Sequence, residues 1–475
     1  MKTFFSATVL LLAAVNCRSL PALPYAASPE SEGVDSQAIL DWLDACEQKL
    51  EYLHGFVLVR HGKIVAEGSW RPFDTLNRTH MLYSHSKSFT STAVGMLADE
   101  GKIDLDERIV EIFPELSPAE PAENLRQLRV RDLLTMNAGM DYTDAERKDI
   151  QGDWVRAFLH NPVEHRPGSV FKYDSCCTHV LAAIVERRAG CGLMEFLDRR
   201  LFGKIGIAGA WSTTSPTGVA CGGWGMNMTT RDLARFGQLY LNEGVWNGER
   251  LLSRDWVQLS TARHTASGAN TATRDSGSDW DQGYGFQFWR CRHGAFRADG
   301  AGGQLTVVMR EQDAVLSVHA GLGPMQEELN LVWQHLLPGF AAAALPEAPE
   351  KKQRLDRRLA ALQIPARGGT VAKLTPRKAT ASDNPFGITA GTLATDGDGW
   401  IFSAGGKQIK IGNGSWQTTV WAFPGGTVEP LFAFVGKLPF ALSANPQPDG
   451  SLAVKWLLAT GPQQGEFRIE PAAAP

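Results

Sequence analysis

The chain has 475 residues, 43% of them hydrophobic and 21% charged, with a formal net charge of −4. That is the composition of an ordinary globular protein with a sizeable core, and the length suits roughly two or three domains. Near-balanced charge supplies no strong single-sign field, so neither a nucleic-acid partner nor an anionic membrane surface is indicated.

The first segment, MKTFFSATVLLLAAVNCRS, has one lysine, an apolar run of about twelve residues, then small and polar residues. Residues 1–27 are therefore expected to be a signal peptide, with cleavage near Ala22, Ala26 or Ala27 and a periplasmic or secreted product. Cys17 raises a lipoprotein signal, but Asn16 suits the position before a lipidated cysteine poorly. No later stretch reaches 18 uninterrupted apolar residues, so no stable membrane insertion is expected. The seven cysteines contain no C-x-x-C pair. Export permits disulfides, and buried thiols are the alternative.

SQAILDWLDACEQKL (36–50) has helical apolar spacing, and GFVLVRHGKIVAEGSW (55–70) reads as two strands around a His-Gly turn. MLYSHSKSFTSTAVGMLADEGK (81–102) is an amphipathic helix headed by a polar cluster. Residues 104–241 look mainly helical. Strands resume at 283–291, 295–311 and 314–322, and a helix over 327–337 closes the series. Strands, helices, strands and a helix in that order predict an α+β fold across 28–340: an antiparallel β-sheet flanked by helices plus an all-helical region, the N-terminal strands joining the later ones. Residues 341–372 read as a linker with a short helix. Residues 373–475 read as a small C-terminal β-rich domain with frequent turn signals. Within it, Asp396-Gly397-Asp398-Gly399 marks a hairpin turn rather than a calcium loop, because the other loop ligands are missing.

The polar cluster holds a candidate reactive pair. Ser84 and Lys87, three positions apart, share one face of a helix. A serine hydroxyl needs a base, and a lysine serves if burial and a helix N-terminus lower its pKa. An N-cap cluster is the plain alternative. Ser86 and Ser88 read as cap or packing residues, and His85 points off the Ser84–Lys87 face. In FKYDS (171–175), Tyr173 can offer a phenolate or a hydrogen bond to Ser84, and Ser175 a further polar contact. In ADGAGGQ (298–304), glycines allow close backbone approach, so the Ala301 amide, with that of Ser84, can bind an oxyanion. A bulge in an edge strand is the competing reading there. Trp224, Tyr284 and Phe286 either line the pocket or pack in the core. No H-E-x-x-H spacing and no G-x-S-x-G elbow occur, so neither a metal site nor a cofactor is expected.

In order and spacing, MLYSHSKSFTS, FKYDS and ADGAGGQ resemble the serine β-lactamase-like superfamily, in its class C β-lactamase, penicillin-binding protein and esterase branch. AVGMLADEGKIDLDERIVEIFPE, VRDLLTMNAGM, GGWGMNMTTRDLARFGQLYLNEG and GYGFQFW add to the likeness, which spans roughly residues 30–340. The linker helix and β-domain look like an extension of some bacterial members. The resemblance implies an acyl-enzyme on Ser84, Lys87 and Tyr173 as the proton-transfer pair, and an oxyanion hole from the Ser84 and Ala301 amides. It implies substrate contacts at Ser175, Asp299, Gly300, Trp224 and Tyr284. The third motif usually opens with Lys or His, whereas here it opens with Ala298 and Asp299. Ser175 stands where many β-lactamases have Asn. Both departures favour neutral or cationic esters and amides, as in aminohexanoate-oligomer hydrolases and carboxylesterases. Arg297 should point to the face opposite Ala298. The alternatives are a β-lactamase or D-Ala-D-Ala peptidase proper, or a catalytically idle binding protein of this fold.

Overall fold

A computed structural model describes residues 22–50, 53–141, 152–267, 277–321, 323–370, 376–422 and 437–472. The apolar leader and Cys17 fall among residues 1–21 and lie outside the described residues, as do 373–375 of the expected C-terminal unit. Residues 23–26, placed in the leader from sequence, belong to the fold. Leu23 is buried, and the Ala26 N–H donates to the Ile64 carbonyl at 2.9 Å.

The central sheet has six antiparallel strands: β1 (Leu53–Arg60), β2 (Lys63–Ser69), β3 (Trp289–Arg290), β4 (Phe296–Gly300), β5 (Gln304–Met309) and β6 (Ala314–Ala320), in the order β2-β1-β6-β5-β4-β3. The N-terminal hairpin thus joins the later strands through the β1–β6 ladder. His61 and Gly62 turn the hairpin with φ of 49° and 72°, the left-handed pair that matches strand twist. β1 is covered on both faces. Val57 and Val59 face the helical region, while Phe56 and Leu58 face helix α1 (Ser36–Lys49) and the later helices. Such a strand reads as a continuous apolar run rather than an alternation.

Helix α2 (Ser86–Asp99) is the buried axis of the helical region. It packs on α3 (Ser175–Ala189), while α4 (Thr230–Leu241) covers the sheet. The polar cluster of α2 is explained by this burial. Ser88 Oγ donates to the Gln287 carbonyl at 2.7 Å, Thr90 Oγ1 to the Gly222 carbonyl at 2.9 Å, Ser91 Oγ to the Phe286 carbonyl at 2.7 Å, and Thr92 Oγ1 lies 2.7 Å from the Tyr240 hydroxyl. Leaving any of these groups unpaired would cost about 1–3 kcal/mol.

One sequence expectation changes, and two readings gain detail. Only 289–290 of the 283–291 stretch is strand; Gly283 and Gln287 there have φ of 103° and 67° and break the run. After helix α5 (Met325–Leu331), the segment expected as a linker with a short helix does carry one, and that helix is docked. Its helix α6 (Pro349–Ala360) packs on α1, and Leu355, Leu362 and Ile364 are buried. The six described cysteines are thiols, five buried and Cys191 half-buried, so the disulfide option is not taken up.

The C-terminal unit is an eight-stranded antiparallel, nearly closed sheet: β7 (Arg377–Ala381), β8 (Ala390–Asp396), β9 (Gly399–Ala404), β10 (Lys407–Ile411), β11 (Gln417–Ala422), β12 (Lys437–Pro446), β13 (Leu452–Leu458) and β14 (Gln464–Pro471). Its order is β10-β9-β8-β7-β14-β13-β12-β11. The two edges approach where the Lys410 N–H donates to Thr419 Oγ1 at 3.2 Å. Asp396 pairs with Gly399 across the β8–β9 turn, as the Asp-Gly repeat predicts.

Candidate active site

Ser84 lies not in the α-helix but in a single 3-10 turn, Tyr83–His85, that runs directly into α2. Tyr83 sits at φ 48°, a left-handed value for a bulky residue, which costs about 1–3 kcal/mol and must be held by its surroundings. Lys87 is the second residue of α2 and is 1% exposed. Its Nζ lies 2.9 Å from Ser84 Oγ, 2.9 Å from Ser175 Oγ and 2.7 Å from the Gly223 carbonyl oxygen. Burial lowers its pKa to about 7; Asp174, Cys176, Cys177 and Asp299 oppose the shift. A protonated Nζ donates to all three partners. A neutral one keeps its two N–H bonds for Gly223 and Ser175, and its lone pair then faces the Ser84 hydroxyl.

Tyr173 and Ser175 arrive from the other side of the cleft. The Lys172 N–H donates to the Met136 carbonyl at 2.8 Å, which ties this loop to the VRDLLTMNAGM segment. Asp174 then caps α3 by accepting from the Cys176 N–H at 2.8 Å, so α3 starts at Ser175. Burial around the Tyr173 hydroxyl raises its pKa, with Ser84 acting the other way. The group is therefore a phenol at neutral pH, not a phenolate. The residue as a whole is 36% exposed, its hydroxyl end is the buried part, and its ring lies over Lys87 Nζ at 4.9 Å.

β4 brings the third segment. A Cβ added at Gly300 would lie 2.0 Å from the Leu82 carbonyl oxygen and 3.0 Å from the His85 nitrogen, so only glycine lets β4 end against the turn that bears Ser84. Ala301 follows on the tight turn to β5. Beneath that turn lies Glu328, 4% exposed, its carboxyl raised by burial and by Asp299; a Cβ at Gly303 would lie 2.4 Å from it.

Other expected site residues fall differently. Tyr284 is 1% exposed and Phe286 3% exposed, so both are core residues. Tyr284 backs Tyr173 edge-on at 6.1 Å rather than meeting the cleft, and Phe286 stacks on His264. Trp224 is half-buried, stacked on Trp154 at 5.8 Å, and contributes to the site through its neighbour, the Gly223 carbonyl. His85 is buried, off the reactive face, with Nε2 2.9 Å from Thr306 Oγ1. Asp299 is not a bare acid. Arg297 Nε donates to its Oδ2 at 2.6 Å, and the guanidinium is wholly buried over Trp280. Arg297 does point away from Ala298, but residues two apart in a strand share a face, and that places it on Asp299. The Gly223 carbonyl escaped sequence reading because a main-chain acceptor carries no residue signature.

The beta-lactamase family model matches residues 47–334. The 6-aminohexanoate-dimer hydrolase of Paenarthrobacter ureafaciens is 31% identical over 285 residues, which span 56% of this chain and 71% of that protein. Among solved structures, EstCE1, a hydrolase with promiscuous acyltransferase activity, shares the fold with a TM-score of 0.51 at 16% identity, over 63% of this chain and 99% of that one. The octameric penicillin-binding protein homologue from Pyrococcus abyssi does so with a TM-score of 0.50 at 14% identity, over 91% of this chain and 99% of that one. With a family match across more than half its length and the Ser84–Lys87 pair at the head of its buried central helix, the chain belongs to the beta-lactamase family and is a serine hydrolase of that fold.

Proposed function

We propose that the protein is an exported hydrolase that cleaves an amide or ester bond through an acyl-enzyme on Ser84. The observation that carries this is the buried Lys87 Nζ lying 2.9 Å from Ser84 Oγ, with the Tyr173 ring 4.9 Å from the same Nζ. Ser84 Oγ attacks the substrate carbonyl while its proton passes to neutral Lys87. The Ser84 and Ala301 N–H groups receive the oxyanion. Tyr173, kept protonated by burial, relays a proton to the departing amine or alcohol as the bond to it breaks, and Lys87 reprotonates the phenol. A water then attacks the acyl carbon, the same pair takes its proton, and Ser84 is released with a carboxylic acid product.

Ser175 keeps Lys87 aimed. Asp299 and Gly300 border the acyl site, the first held by Arg297. A methyl group at Ala298, where the superfamily usually has Lys or His, and an Arg297 already bound to Asp299 support uncharged or cationic acyl groups over anionic ones. The name of the Paenarthrobacter ureafaciens relative supports short linear amides as the first class to try. Export rests on the N-terminal apolar segment.

A fluorophosphonate probe should label the folded protein once, with the label on the Ser84 peptide. A panel of p-nitrophenyl esters, linear amide oligomers, D-amino-acid amides and nitrocefin should then show turnover of esters and linear amides above nitrocefin. Equal labelling of Ser84→Ala ends the proposal.

A further inference from the structure

The residues just before the nucleophile do not pack only within their own domain. Met81 is buried in the core of the C-terminal sheet, and Tyr83 packs against that same core. The contact is made by the loop 459–463 between β13 and β14. The Met81 N–H donates to the Thr460 carbonyl at 2.9 Å, and the Gln463 side-chain amide is hydrogen-bonded to the Tyr83 hydroxyl. The loop is itself fixed. The Leu458 N–H donates to the Gln463 carbonyl at 2.8 Å, the Gly461 N–H to the Leu458 carbonyl at 3.1 Å, and Gly461, Pro462 and Gln463 are buried. On its other side, Pro462 meets the turn after β4: a Cβ added at Gly302 would lie 3.0 Å from Pro462 Cβ. One loop of the C-terminal sheet therefore touches both main-chain segments that carry the Ser84 and Ala301 amides.

We infer that the C-terminal sheet is a working part of the active site, and that Gln463, gripping Tyr83, is a positioning residue for the oxyanion hole. The inference rests on the acyl-enzyme reading above. Its logic is mechanical. The left-handed backbone at Tyr83 aims the next residue, Ser84, and nothing in the local sequence favours that conformation. A phenol held at its far end by Gln463 supplies the missing constraint. Pro462 fixes the facing turn, so the spacing between the two donors is set from outside the domain that owns them. Donors aligned on a developing charge act on the transition state more than on bound substrate, so the effect belongs in kcat.

The test uses the full chain. Gln463→Ala and Tyr83→Phe should each lower kcat on a p-nitrophenyl ester about tenfold or more, with KM within about twofold, a fraction of what losing an oxyanion donor costs. The rate of fluorophosphonate labelling should fall in parallel. The double variant should be no slower than either single one. Gln463→Glu should recover most of the rate, because the phenol can donate to a carboxylate. If Gln463→Ala does not fold, Tyr83→Phe alone reads the same bond. Wild-type kcat in the single variants, additive losses in the double variant, or a loss confined to KM would overturn the inference. Turnover surviving in Ser84→Ala would instead sink the acyl-enzyme reading, so the two failures are separable.

Discussion

On the proposed acyl-enzyme mechanism, the pH dependence of acylation follows from Lys87. An amine with an ordinary pKa of 10.5 is almost wholly protonated at pH 7 and cannot take the Ser84 proton. Burial brings Lys87 to about 7, so about half is neutral there. That is a gain of about a thousandfold in the competent form. Only the neutral amine works as the base, so log kcat/KM should rise with unit slope below pH 7 and level off above it. At pH 5 the rate should be about a hundredfold below the plateau, since two pH units separate it from the midpoint. Asp174 is first among the groups that hold this pKa up. Asp174→Asn preserves the cap on α3, since Asn caps as well as Asp, yet removes the charge. The acid limb should then move to lower pH, because the ammonium loses a stabilising neighbour. The assay is initial rates on a p-nitrophenyl ester from pH 5 to 9, with labelling rates by a fluorophosphonate as a check free of product release. A limb still climbing at pH 9, a flat profile, or a limb that Asp174→Asn shifts upward would refute the reasoning.

Further expectations concern single side chains. Ser84→Ala, Lys87→Ala and Tyr173→Phe should each lower kcat/KM by about a thousandfold or more, read by steady-state kinetics, and a near-normal rate in any one removes that residue from its role. Gly300→Ala places a Cβ 2.0 Å from a main-chain oxygen. The strand end must shift, which should cost about 1–3 kcal/mol in thermal unfolding and at least about a hundredfold in kcat. Arg297→Met leaves the buried Asp299 carboxylate without its partner, at about 3–5 kcal/mol, whereas Arg297→Met combined with Asp299→Leu should recover much of that loss; a denaturant midpoint measures both.

The reactive pair was legible because its geometry is local. Ser84 and Lys87 are three residues apart, and the 3-10 turn keeps the facing that a helix would have given. The close approach at Gly300 was legible because a side chain there would leave no room for the turn bearing Ser84. The Arg297–Asp299 pair is readable in part from strand alternation, which puts residues two apart on one face, but alternation does not say that the two side chains meet. Tyr284 and Phe286 show the opposite limit: an aromatic residue near a motif packs inward or lines a cleft according to neighbours from distant segments. The docking of α6, and the reach of residues 459–463 to Tyr83, depend on contacts hundreds of residues apart that no periodicity encodes.

The central claim is that a covalent ester forms on one named oxygen, and trapping it tests that most directly. Rapid acid quench during turnover of a slow p-nitrophenyl ester, followed by peptide mass mapping, should find the acyl mass on the Ser84 peptide at close to one per chain, and none in Ser84→Ala. Turnover with no adduct, or an adduct on any other residue, would contradict the account.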